Sequence, residues 1–173
     1  MMLVETNSAS AQELKHLRAI LDRVTDPEIP ALTINEMGIL RDVSLDGQTV
    51  EVTITPTYSG CPAIDQITDD IAAVLAENGY PKSTVNLVLS PAWTTDWMSE
   101  DAREKLRDYG IAPPCKTSAL DQVTGEHALN FTAPCPQCRS LHTQQTSEFG
   151  STACKALWKC LECLEPFDYF KPL

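Results

Sequence analysis

Seven cysteines punctuate this 173-residue chain, and four of them fall in two identical spacings, Cys135-Pro-Gln-Cys138 and Cys160-Leu-Glu-Cys163, separated by 21 residues. Two residues between cysteines let both thiolates reach one ion from a single tight turn. Two such turns complete a tetrahedron and leave no position for water, so the pattern predicts a closed, structural zinc site. Cys154 and His142 lie close enough in sequence to compete as ligands, but neither fits the paired geometry as well. Cys₄ tetrahedra also accept iron or an iron–sulfur cluster, and the ligand geometry favours zinc.

A fifth cysteine stands apart. Cys61, in "TPTYSGCPA", falls where a strand-like run turns into a helix-like one, with Pro62 suited to a first helical position. Helix N-termini offer unpaired N–H groups and a favourable dipole, which predicts thiolate character and a lowered pKa. A small buried apolar residue is the other reading of the same position. The remaining chemistry-bearing motif is "DPEIP", with Asp26 and Glu28 held between prolines. It reads either as an acidic site or as a helix-ending turn with a solvated charge pair. Cys115 and Cys154 have no assigned role.

The elements that must position these residues follow from periodicity. Leu14, Leu17, Leu21 and Val24 make an amphipathic helix that stops at Pro27. Val43 and Leu45, then Val50, Val52 and Ile54, alternate around Asp46-Gly47 as a β-hairpin. Ile64, Ile67, Ile71, Val74 and Leu75 form a second helical stripe ending at Asn78-Gly79. "STVNLVLSP" is a third strand through Val85, Leu87 and Leu89, and "SEDAREKLRDYG" a third helix from Ser99 to Gly110.

A helix between strands two and three is a crossover, so the first 112 residues predict a small α/β domain, α+β-like, with helices on one side of a three-stranded mixed sheet. Residues 113–126 read as a linker. Residues 127–173 read as a zinc ribbon with strand-like pieces "HALNFTA", "ACKALWKC" and "EPFDYFK". A module so small folds largely on the free energy of metal binding.

Composition narrows function. The net charge of −11 sits mostly in residues 1–110, with 8 Lys/Arg against 18 Asp/Glu, while residues 126–173 carry 4 against 5. Neither part has the basic footprint of a nucleic-acid binder, which points the ribbon toward protein recognition through Trp158, Phe167, Tyr169 or Phe170. Trp93 and Trp97 are a second candidate contact pair. No stretch approaches the roughly 18 apolar residues of a membrane span, and the opening lacks a signal-peptide core. A cytoplasmic location and reduced thiols follow as expectations.

Taken together, "DPEIP", "NEMGILRDV", the hairpin and "TPTYSGCPA" resemble the MIP18 (DUF59) family, whose members act in iron–sulfur cluster assembly and metal-centre maturation. The cysteine-rich tail extends the resemblance to accessory proteins of the bacterial phenylacetyl-CoA epoxidase system. Carried over residue by residue, the resemblance implies an acidic motif at Asp26 and Glu28, threonines at Thr55 and Thr57, and a transfer cysteine at Cys61. It implies a transient iron or iron–sulfur cargo for this site beside a structural zinc at Cys135, Cys138, Cys160 and Cys163. The implied partners are components of the epoxidase, its di-iron oxygenase or iron–sulfur reductase, other iron–sulfur assembly proteins, and a second copy of the chain. A non-catalytic adaptor that binds the oxygenase through the acidic core and ribbon is the alternative. A thiol enzyme is a third reading, disfavoured because a nucleophilic Cys61 needs a base and the chain has only His16, His127 and His142.

Overall fold

In the computed structural model, residues 10–114 and 132–172 are described. The chain forms two compact units, residues 1–93 and 94–173.

The first unit begins with α1 (Ala11–Leu21). Ser10 caps it, accepting from the Glu13 N–H, while the Glu13 carboxylate returns the bond to the Ser10 N–H at 3.0 Å. Its buried face is Leu17, Ile20 and Leu21. A short antiparallel pair follows, β1 (Thr25–Asp26) and β2 (Ile29–Thr33), turning at Pro27-Glu28. The sequence pattern predicts a turn here; the structure adds the strands on either side of it.

The main sheet has the order β3 (Leu40–Asp46), β4 (Thr49–Ile54), β5 (Ser83–Leu87). β3 and β4 are antiparallel, with Asp46 opposite Thr49 and Gly47 at φ +60° in the turn between them. β5 runs parallel to β4, Val50 opposite Ser83, and the connection is α2 (Ala63–Glu77). Thus the mixed three-stranded sheet expected from the periodicity is present. Val50, Val52 and Ile54 are fully buried in the central strand, facing Ile67, Ile71 and Leu75 of α2 and Leu17 and Leu21 of α1 in one core. Leu87 and Leu89, which alternation alone would turn inward, are exposed because β5 is an edge strand.

The second unit starts with a 3₁₀ turn (Thr95–Trp97) and α3 (Glu100–Asp108), capped by the Ser99 hydroxyl. Its sheet has the order β6 (Ile111–Ala112), β9 (Pro166–Phe170), β8 (Lys155–Cys160), β7 (Thr143–Ser147). β6 is parallel to β9, with Ile111 opposite Asp168; the other pairs are antiparallel. Here the structure differs from the sequence pattern, which groups the third helix with the first domain. The backbone of Ile111-Ala112 instead pairs with β9, and buried Arg103 of α3 donates to the carbonyls of Thr95 and Pro114 at 2.7 and 2.6 Å. Most of the linker 113–126, Cys115 and most of "HALNFTA" lie outside the described residues.

Candidate metal centre and thiol site

The two Cys-x-x-Cys segments are built alike. In the first, the Cys135 N–H donates to the Ser140 carbonyl at 3.0 Å and the Arg139 N–H to the Cys135 carbonyl at 2.9 Å. In the second, the Cys160 N–H donates to the Glu165 carbonyl at 2.9 Å. The residue after each second cysteine is left-handed, Arg139 at φ 62° and Leu164 at φ 67°. Both are thus tight turns that fold two thiols inward. β8 carries Cys160 to its position, and the hydrogen bond from the Thr143 hydroxyl to the Ala133 carbonyl ties the approach to Cys135 against β7.

The four Sγ atoms lie within 4.8 Å of one another, with Cys135–Cys163 at 3.7 Å and Cys138–Cys160 at 3.5 Å. A tetrahedral ion with sulfur ligands at about 2.3 Å needs sulfurs about 3.8 Å apart, so the set fits zinc without rearrangement. Two of the four cysteines are buried in the ribbon core with Trp158, Phe167 and Tyr169, so the metal site and the core are one structure.

Charge is shared unequally among the free thiols. Burial works against ionising Cys160, but the N–H groups of Cys163 and Glu162 and neighbouring thiols outweigh it and bring it down to about 6. Hydrogen bonding from Glu165 favours a Cys163 thiolate, yet burial and its neighbours push it up to about 12. One negative charge settles on Cys160, and further ionisation awaits a cation.

His142 stands outside the quartet, its Nδ1 2.9 Å from the Glu162 carboxylate at the surface. Cys154 is buried, with its Sγ 3.0 Å from the Thr152 hydroxyl. Both side chains therefore have other hydrogen-bond partners.

The second site lies in the first unit. Asp26 is buried, and its Oδ1 accepts from the N–H groups of Glu28 at 2.7 Å and Ile29 at 3.1 Å, closing the β1–β2 turn. The charge pair is thus not a solvated one. Cys61 lies on the loop from β4 to α2, its N–H donating to the Tyr58 carbonyl at 3.2 Å. Burial pushes the Cys61 thiol up. The Ala63 N–H and the Thr57 side chain pull the other way, while Glu28 and Asp26 add to the rise. This overturns the lowered pKa read from sequence. α2 begins at Ala63 with Pro62 as its cap, so Cys61 lies outside the helix, and burial together with carboxylates from a distant hairpin outweighs the helix end. Asp26, Glu28, Thr57 and Cys61 are therefore electrostatically one cluster, assembled from segments some thirty residues apart. Thr55 and Thr57 are both buried and, with Leu89 and Trp93, border a cavity of about 280 Å³. The Trp93 indole N–H donates to the Met37 carbonyl at 3.0 Å, fixing that wall; no local pattern in the sequence signals its place here.

Comparison with known proteins separates the same two parts. Residues 14–89 match the family model described as an iron–sulfur cluster assembly protein, and residues 119–171 match the PaaD zinc beta ribbon domain. A 1,2-phenylacetyl-CoA epoxidase subunit of Escherichia coli (strain K12) is 48% identical over 159 residues, spanning 92% of this chain and 93% of that one. The Fe-S protein maturation auxiliary factor SufT of Staphylococcus aureus (strain USA300) is 42% identical over 82 residues, 46% of this chain and 92% of its own. Among solved structures, a DUF59 domain from Bacillus anthracis superposes with a TM-score of 0.50 at 34% identity, covering 54% of this chain and 90% of that one.

Proposed function

The chain belongs to the PaaD family of 1,2-phenylacetyl-CoA epoxidase proteins, and from that premise we propose that it is an accessory protein that matures the metal centres of the epoxidase. In this reading the first unit carries iron or an iron–sulfur unit and delivers it to the di-iron oxygenase or the iron–sulfur reductase. The observation that supports it is the cluster of Cys61 with Asp26, Glu28 and Thr57.

The chemistry follows from the field at the thiol. The carboxylates that disfavour a bare thiolate favour a cation by the same electrostatics. Cys61 stays a protonated thiol until a metal arrives. The S–H bond then breaks, the proton leaves to water and the sulfur electron pair binds the metal. One thiolate and two carboxylates make an incomplete ligand set, so cargo is held weakly enough to leave, and thiolates from a client or a second copy complete it during transfer. In the ribbon, Cys135, Cys138, Cys160 and Cys163 hold zinc, which supplies folding free energy and no chemistry.

Cys61→Ser provides the test, with two readings taken together: co-purification with the epoxidase subunits, and the iron and sulfide content of those subunits. The carrier reading expects co-purification to persist and client metal to fall. The elevated Cys61 pKa favours one rival, an adaptor that binds clients and carries nothing. That rival expects both readings unchanged, and such a result refutes the carrier.

A further inference from the structure

The second Cys-x-x-Cys turn contains a residue whose type works against the fold twice. Leu164 has φ 67°, a conformation in which glycine or asparagine is unstrained and a leucine is not, and its side chain is 63% exposed. Leu141 is 62% exposed and Leu161 38%. The Leu161 N–H donates to the His142 carbonyl at 2.8 Å, and β7 and β8 leave the sheet here with Thr143 opposite Cys160, so all three leucines crown the metal end of the ribbon. A strained residue held at an exposed position points to a use outside the chain.

We propose that this leucine crown is the surface by which the chain docks onto another component of the epoxidase assembly, one presenting an apolar recess with a basic rim. The inference rests on the partnership proposed above. Charge selects this occupant over a second copy. Between 135–142 and 160–165, Arg139 is the single Lys or Arg, against Glu162, Glu165 and four thiolates around one dication. Two crowns brought together repel, whereas a cationic rim is attracted.

The experiment uses the full-length, metal-loaded chain and, as probe, the other epoxidase subunits co-expressed as a complex. Leu164→Gly suits the left-handed backbone, so its melting temperature stays level or rises and its metal content is unchanged. Its affinity for the complex falls at least about tenfold, and that of Leu141→Ser with Leu164→Gly about a hundredfold, as expected for apolar side chains buried on docking. Undiminished affinity of the double variant overturns the proposal. So does a clear drop in melting temperature for Leu164→Gly, since the leucine then serves the fold. Loss of a wild-type dimer in the variants overturns it by making a second copy the occupant. A wild-type chain that ignores the complex overturns this proposal and the partnership together. A Cys61→Ser chain that binds normally, whatever its effect on client metal, supports the crown.

Discussion

Stripping metal from Cys135, Cys138, Cys160 and Cys163 should unfold the second unit and spare the first. The ribbon core is thin: Ala112, Ala133, Ala156, Trp158, Phe167 and Tyr169 join Cys135 and Cys160, so two of its eight members are ligands and three are alanines. Structural zinc contributes on the order of 10 kcal/mol to small domains of this kind, comparable to the whole stability of an ordinary domain. Without it, packing on three aromatics does not offset the ordering of four strands. The assay is tryptic cleavage after Lys155, a residue buried in β8 beside Cys154 and paired with Phe170. Even a third of the zinc contribution, about 4 kcal/mol, corresponds to about a thousandfold change in the open population. Cleavage at Lys155 should accelerate at least that much in chelator, while the fully buried Leu17 and Ile71 region keeps its amide protection. If Lys155 stays protected in metal-free protein, the ribbon's stability comes from its core and the reasoning is refuted.

Two further predictions concern the first unit. Glu28→Gln removes a charge that raises the Cys61 pKa, so iodoacetamide alkylation at pH 8 should quicken and the two rates converge at strongly alkaline pH; an unchanged rate at pH 8 would separate the carboxylate from the thiol. Because the folded thiol titrates above its ordinary 9.0, its contribution to stability is intact below pH 9 and is lost as pH rises through the folded value, which urea melts at pH 8 and 10 should record. Asp26→Ala leaves the N–H groups of Glu28 and Ile29 without their acceptor and should cost about 1–3 kcal/mol in urea denaturation, with Asp26→Asn costing less.

The elements written in local periodicity are legible in the sequence. Val50, Val52 and Ile54 announce the central strand, Asn78-Gly79 the end of α2, and Ser99 the start of α3, because each signal lies within one turn or one hairpin of its effect. β7 is not legible, since "TQQTS" carries no apolar alternation and becomes a strand only by pairing with β8. The exposed Leu87 is misread for a related reason: alternation marks two faces, and only the position of β5 at a sheet edge decides that neither is covered.

The two sites divide along the same line. By itself the sequence determined the metal centre, because the Cys-x-x-Cys spacing closes each half of a tetrahedron within four residues and needs the fold only to bring two halves together. Tertiary structure decided the state of Cys61. Its neighbours in sequence suggested a thiolate, but burial raises its pKa, and Glu28 and Asp26, from a hairpin more than thirty residues away, add to the rise because charge acts through space. The partnership of α3 with the ribbon was likewise settled by Ile111 meeting Asp168, a pairing across 57 residues that no local pattern encodes.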